Sequence, residues 1–334
     1  MDFAVLLAIV TTLAFDLTNG FHDSANSIAA LVATRAARPG HALALSAAGN
    51  FAGPLLLGTA VADTVGGVVE LPADVTVAAV GAALTAAIMW NLLTWRLGLP
   101  SSSSHALVGG LVGAALVAAG VAGVQWGGFT DGRPTGVVGI LLGLAISPVL
   151  GALACALLGA LAWRVVRRAR HRALGPVRKA EWVTAATLAF SHGGNDAQKS
   201  MGVITLLLVA SGQLPEFTVP LWVKLAAATT LTAGTAFGGW RIVRTVGRGV
   251  YRLTPLDGLV SQSGAAGVIL GAALVGAPVS TTHVVAAGVV GVGAQRRTRH
   301  VHWKVVEEMG SAWIVTLPAT ALLGAVLFPI WEAI

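Results

Sequence analysis

Charge, cysteine and tyrosine are all scarce in this chain of 334 residues. Charged side chains make up 10% of it, against roughly a quarter in soluble domains. A chain of this length cannot cover a water-facing surface with so few charges, which excludes an ordinary soluble enzyme. The mean hydropathy of +0.80 agrees. The single cysteine, Cys155, lies inside an apolar run and excludes a disulfide-stapled scaffold. An apolar fraction of 55% excludes disorder. The net charge of +7 is no argument for a nucleic-acid partner, because most basic residues fall in three clusters between apolar runs: Arg164 to Lys179, Arg241 to Arg252 and Arg296 to Lys304. Such clusters mark the cytoplasmic loops of a multi-pass protein whose partner is the lipid bilayer, here the plasma (inner) membrane.

What the chain has in abundance is apolar sequence. Ten stretches approach the ~20 residues that cross a bilayer. They cover roughly 3–33, 42–60, 76–95, 100–119, 136–163, 181–210, 218–240, 258–275, 278–294 and 308–332. Their Ala, Gly, Leu and Val content without two-residue alternation predicts helices, hence an all-α polytopic membrane protein and no β-barrel. Threading ten spans through the basic clusters puts both termini on the outer face. The first and sixth stretches are too long for one straight helix. Tryptophans near span ends, Trp313 among them, read as an interfacial belt.

Two polar motifs each occur twice. Asn19-Gly20-Phe21-His22-Asp23-Ser24-Ala25-Asn26-Ser27 is echoed by His192-Gly193-Gly194-Asn195-Asp196-Ala197-Gln198-Lys199-Ser200. Pro100-Ser101-Ser102-Ser103-Ser104-His105 is echoed by Pro278-Val279-Ser280-Thr281-Thr282-His283. The offsets are nearly equal, 173 residues from Asp23 to Asp196 and 178 from His105 to His283. The chain therefore reads as two homologous units, 1–163 and 181–334, joined by a basic cytoplasmic loop at 164–180. The charge pattern runs the two Asp motifs in opposite directions, so these are inverted-topology repeats, an architecture that places substrate where the halves meet.

Ionisable groups inside apolar spans cost several kcal/mol unless paired, hydrated or ligated. Asp23, Asn26, Asn195 and Asp196 offer hard oxygen ligands suited to Na⁺ or a divalent cation, and a buried Asp can equally carry a proton. The adjacent Gly20, Gly193 and Gly194 predict broken, unwound helix there. Alternatively, each Asp merely caps a helix at the membrane surface. The Pro-hydroxyl clusters predict helix starts whose free N–H groups, hydroxyls and dipole suit an oxyanion. The competing reading is hydroxyls bonded to their own helix. Lys199 can neutralise an anion or pair with an Asp.

At these motifs the sequence resembles the PiT family of inorganic phosphate transporters, over essentially the whole chain. The resemblance implies symport of phosphate with a cation, Na⁺ or H⁺, no cofactor, inverted repeats with re-entrant hairpins, and a homodimer. It assigns substrate binding to Ser102, Ser103, Ser104, Ser280, Thr281, Thr282, Asp23, Asn26, Gln198 and Lys199. Cation coupling falls to Asp23, Asn26, Asn195 and Asp196, with Asp23 and Asp196 as candidate Na⁺ ligands. The first motif has His22 where many members have Asn, and no large hydrophilic domain separates the halves. Ten uninterrupted crossings would leave the hydroxyl clusters near opposite faces, so some spans must be half-helices. Sulfate, also tetrahedral, is the alternative substrate, as in a sulfate permease of the same family. A channel and a membrane-embedded hydrolase are the other classes. The hydrolase lacks a Gly-x-Ser-x-Gly elbow and a His-Glu-x-x-His motif, so no enzyme is expected.

Overall fold

The computed structural model describes residues 2–66, 71–130, 133–166 and 174–334. All ten apolar stretches are helical. The helices are α1 (Phe3–Ala33), α2 (Pro39–Leu56), α3 (Ala60–Gly66), α4 (Ala73–Leu97), α5 (Ser103–Ala119), α6 (Gly136–Val166), α7 (Leu174–Ala210), α8 (Leu221–Phe237), α9 (Trp240–Arg244), α10 (Pro255–Leu274), α11 (Thr281–Arg297) and α12 (Trp303–Glu332). Among the described residues the only strands are a two-rung pairing of β1 (Phe129–Thr130) with β2 (Arg133–Pro134). Both ends of the basic stretch 164–180 are helical, in α6 and α7, and residues 167–173 of it lie outside the described residues.

Not every stretch is a full crossing by itself. Among the described residues five helices are long and apolar enough to span a bilayer: α1, α4, α5 with the turn after it, α6 and α12. A sixth is the pair α2–α3, bent by 78° at a short break. The series α1 to α6 corresponds in order to α7 to α12. α1 matches α7 through the Asp motifs, α2–α3 matches α8–α9, and the hairpin α4–α5 matches α10–α11. Thr34, just past the end of α1, donates to Glu181 near the start of α7, and Asp16 at the middle of α1 accepts from Ser200 further along α7, so α1 and its counterpart α7 run antiparallel. That makes the repeats inverted. They are also interlaced: α12 packs on α4 and α5 of the first half, and α6 packs on α10 and α11 of the second.

The helices assemble around two large apolar cores, with a small third cluster at Cys155, Leu256, Val260 and Val292. One joins Val5 to Phe15 of α1, Val61 and Val65 of α3, Ala78 to Ala87 of α4, and Met201 to Leu208 of α7. The other joins Ala25 to Leu31 of α1, Leu188 of α7, Ile242 and Val246 around α9, and Val284 to Val289 of α11. Exposed Arg35, Arg38, Arg241, Arg244 and Arg248 sit at the second end, and exposed Asp63 and Glu216 at the first. The second end is therefore cytoplasmic, and both termini lie at the outer end. Both Asp motifs fall between the cores, near the middle of the membrane.

One local expectation is corrected. α1 and α7 stay α-helical through Gly20, Gly193 and Gly194. These glycines admit a neighbouring backbone instead of unwinding their own. A Cβ on Gly20 would lie 2.2 Å from the carbonyl oxygen of Leu231, and one on Gly234 would lie 2.1 Å from that of Leu17. The other half repeats the crossing, with Gly53 against the Phe190 carbonyl (2.2 Å) and Gly193 against Asn50 Cα (2.5 Å). In lipid, where helices gain little from burying apolar surface, such close approach is what holds them together.

Candidate functional site

Each hydroxyl cluster begins the second helix of a hairpin. Ser102 caps α5 by accepting from the His105 amide at 3.2 Å, and Ser280 caps α11 by accepting from the His283 amide at 3.3 Å. The two tips touch. Ser104 Oγ donates to the Val279 carbonyl at 3.4 Å, and the rings of His105 and His283 lie 4.9 Å apart. The clusters that continuous crossings would hold at opposite faces thus come to one place, because α5 and α11 start there and run apart.

The carboxylates of α1 and α7 lie against these tips. Asp23 is 1% exposed and Asp196 is fully buried. Thr282 donates to Asp23 Oδ1 at 2.9 Å, and Thr281 donates to Asp196 Oδ2 at 3.2 Å, so one helix start serves the acids of both halves. Asn26 Nδ2 donates to Thr282 Oγ1 at 3.0 Å. Lys199 Nζ pairs with Asp196 Oδ1 and donates to the Val279 carbonyl at 3.4 Å. His22 Nδ1 lies 2.7 Å from Asp23 Oδ1. His192 Nε2 sits 2.9 Å from Asp196 and 3.9 Å from Asp23, bridging the acids. Ligand atoms of Asp23, His192 and Asp196 lie within 4.8 Å of one another. With hard carboxylate oxygens on both sides, that spacing can hold a cation.

Other residues singled out from the sequence have different surroundings. Gln198 faces α3: its Oε1 accepts from the Val61 amide at 2.9 Å and its Nε2 donates to the Gly194 carbonyl at 2.7 Å. Ser103 is buried at the α5 tip. Asn195 is buried, and neither of its amide atoms, nor Asn26 Oδ1, finds a partner among the described residues. Trp313 is not part of an interfacial belt. Its ring stacks on His283 at 4.0 Å and its indole N–H donates to the Pro100 carbonyl at 2.8 Å.

Sequence reasoning passed over several buried polar residues beside the site. Asp16 accepts from Ser200 and lies two helical turns before Asp23, on the same face of α1. Thr94 approaches His22 Nε2 at 3.1 Å, alongside Ser101 of the Pro-hydroxyl motif already singled out, at 3.3 Å. Asn50 Oδ1 lies 3.0 Å from His192 Nδ1 and thereby orients that imidazole. The available signal was a lone polar residue within an apolar run, which is costly in lipid without a partner.

The chain matches the model of the phosphate transporter family twice, over residues 19–178 and 165–324. It is 41% identical over 331 residues to a "Probable low-affinity inorganic phosphate transporter" of Rhizobium meliloti (strain 1021), covering 98% of this chain and 97% of that one. A protein of the same description from Bacillus subtilis (strain 168) is 39% identical, covering 97% and 96%. A solved structure described as "The sodium-dependent phosphate transporter" shares the fold at a TM-score of 0.87 and 23% identity, over the full length of both chains. These relatives are transporters, which removes the hydrolase alternative. With each half matched and the two halves visible as inverted sets of helices, the chain belongs to the phosphate transporter family.

Proposed function

We propose that this multi-pass membrane protein imports inorganic phosphate by symport with a cation, through alternating access of one site between its halves. The observation that carries the reading is the double use of one helix start, with Thr281 on Asp196 and Thr282 on Asp23. Those hydroxyls are donors that an oxyanion needs, and the carboxylates now occupy them. A cation held by Asp23 and Asp196, with the amide oxygens of Asn26 and Asn195 as further ligands, takes over the carboxylates' charge. Thr281 and Thr282 are then released to phosphate oxygens, together with Ser102, Ser103, Ser104 and Ser280 and the N–H groups of two helix starts. Lys199 offsets the remaining negative charge, and Gln198 fixes α7 on α3. Either solute alone leaves buried charge or unpaired polar groups, which disfavours reorientation of a half-loaded carrier.

Na⁺ suits the oxygen donors, and the solved relative of this fold is named for sodium dependence. A specific observation supports H⁺ as the second reading, since His192 bridges the two carboxylates. Nothing among the relatives favours sulfate. The homodimer implied by the family resemblance belongs to this proposal and is checked by the mass of the detergent-solubilised particle. The central test is radiolabelled phosphate uptake into proteoliposomes under an imposed Na⁺ gradient, then under a pH gradient, each challenged with excess sulfate. Na⁺-driven uptake indifferent to sulfate is expected. Uptake that ignores both gradients removes symport, and strong sulfate competition removes phosphate specificity.

A further inference from the structure

Two threonines away from the carboxylates make the same bond at corresponding places. The α4–α5 hairpin turns at Gly98 and the α10–α11 hairpin at Gly276, each left-handed at φ +72°. Both turns close with the same bond, from the Leu99 amide to the Thr94 carbonyl and from the Ala277 amide to the Ala272 carbonyl, each 2.9 Å. The glycine carbonyl beyond each closure is taken by a hydroxyl of the opposite half. Thr245 Oγ1 donates to the Gly98 carbonyl at 2.9 Å, and Thr64 Oγ1 donates to the Gly276 carbonyl at 2.8 Å. Thr64 lies on α3, past the 78° bend, and Thr245 directly follows α9, its counterpart. α3 belongs to the outer core and α9 to the cytoplasmic core, so one bond flanks the site on each side.

We infer that Thr64 and Thr245 are paired positioning residues for transport. Thr64 holds the second hairpin tip closed toward the outside, and Thr245 holds the first closed toward the cytoplasm. This inference rests on the transport reading above. A single neutral hydrogen bond is strong enough to bias a tip and weak enough to break in every cycle. The glycine crossings of α1 on α8 and α2 on α7 are backbone against backbone and stay shut. The halves can therefore loosen one tip at a time around a fixed frame.

Sidedness tests this directly. In a Cys155→Ser background, Val279→Cys and Ser101→Cys place reporter thiols at corresponding buried positions of the two tips. Thr64→Val is expected to raise labelling of the Val279→Cys thiol by a membrane-impermeant maleimide about five-fold from the outside. Thr245→Val is expected to do the same for the Ser101→Cys thiol from the cytoplasmic side of inverted vesicles. Thr64→Ser and Thr245→Ser, which keep the hydroxyl, restore the parent rates. A merely structural role would loosen both faces together. Unchanged labelling, or increases on the same face for both variants, overturns the inference. Labelling needs no substrate, so phosphate uptake by vesicles of the parent protein, without the reporter thiols, tests the transport reading separately.

Discussion

At the same position of α1 and α7 the two halves carry an aspartate, yet the residues around it differ. Asp23 has His22 beside it and Asn26 one turn on, whereas Asp196 is bracketed by His192 and Lys199. In register, Asn19 faces the role of His192, His22 that of Asn195, and Asn26 that of Lys199. The backbone devices, by contrast, are copied without change: Gly20 on α8 and Gly193 on α2, left-handed Gly98 and Gly276, and caps Ser102 and Ser280. Duplication kept what both halves need in order to fold and cross each other. The side chains diverged where one half's acid holds a fixed cation and the other's does not, as a site for two unlike solutes requires.

The largest effect should fall on what the halves share. Gly20→Leu and Gly193→Leu each push side chains into a backbone already within 2.2 and 2.5 Å of where a Cβ would stand. Overpacking of this kind costs upwards of about 3 kcal/mol, because backbone cannot swing aside. Both variants should yield almost no monodisperse protein by size-exclusion chromatography, and equally so. If one of the two is tolerated, the crossings are not equivalent and the common frame is wrong.

Next comes the place where the halves differ. Asp196→Asn leaves the Lys199 ammonium buried without its carboxylate, a loss of roughly 3–5 kcal/mol for a buried pair. Coupled uptake should fall to about 1% of the parent or less by that measure, with membrane insertion retained. Asp23→Asn, which strands no fixed cation of the Lys199 kind, should cost roughly ten-fold, one hydrogen bond to a charged group. Equal losses would mean that the asymmetry of the two motifs has no consequence for transport.

The sequence made the repeats and their inversion legible, because polar motifs stand out against an apolar chain and basic loops orient the spans. The meeting of the two tips could be inferred only as a necessity, since hydropathy locates helices and says nothing of which helix starts converge. Gly20 and Gly193 were misread as points of unwinding. A missing Cβ permits both a strained backbone and a close neighbour, and the sequence does not distinguish them. Asp16 and Asn50 were overlooked because each is a single polar residue in a long span, and its worth depends on partners 184 and 142 residues away. Thr64 and Thr245 gave no signal, being ordinary residues of short helices.

A smaller effect belongs to the helix start that serves both acids. Thr282→Val removes a hydroxyl that links Asn26 to Asp23, and Thr281→Val removes one from Asp196. Each hydrogen bond to a charged group is worth about 1.5–3 kcal/mol, so each variant should raise the KM for phosphate roughly ten-fold or more. The proposed hand-over also predicts a change in Na⁺ dependence, since the carboxylates no longer compete with phosphate for that hydroxyl. A KM that rises with the Na⁺ dependence untouched would separate substrate binding from coupling.

The smallest effect concerns a difference that the hairpins themselves do not show. Gly110 packs on Gly324 of α12 as Gly288 packs on Cys155 of α6, and this register sets Trp313 opposite Leu144 in the other half. Among the described residues the Trp313 indole therefore hydrogen-bonds the first tip alone, through the Pro100 carbonyl, while His283 of the second tip is held by ring stacking. Trp313→Phe keeps an aromatic face for His283 and loses the hydrogen bond, which at about 1 kcal/mol should raise the KM for phosphate some three- to five-fold. Trp313→Leu copies the other half's residue and loses the stacking as well, so its effect should exceed that of Phe. A tryptophan serving only as a membrane-interface anchor predicts the reverse pattern, loss of insertion without a change in KM. Uptake kinetics on the surface-quantified variants decide between an anchor in lipid and a strut that holds the first hydroxyl cluster against the second.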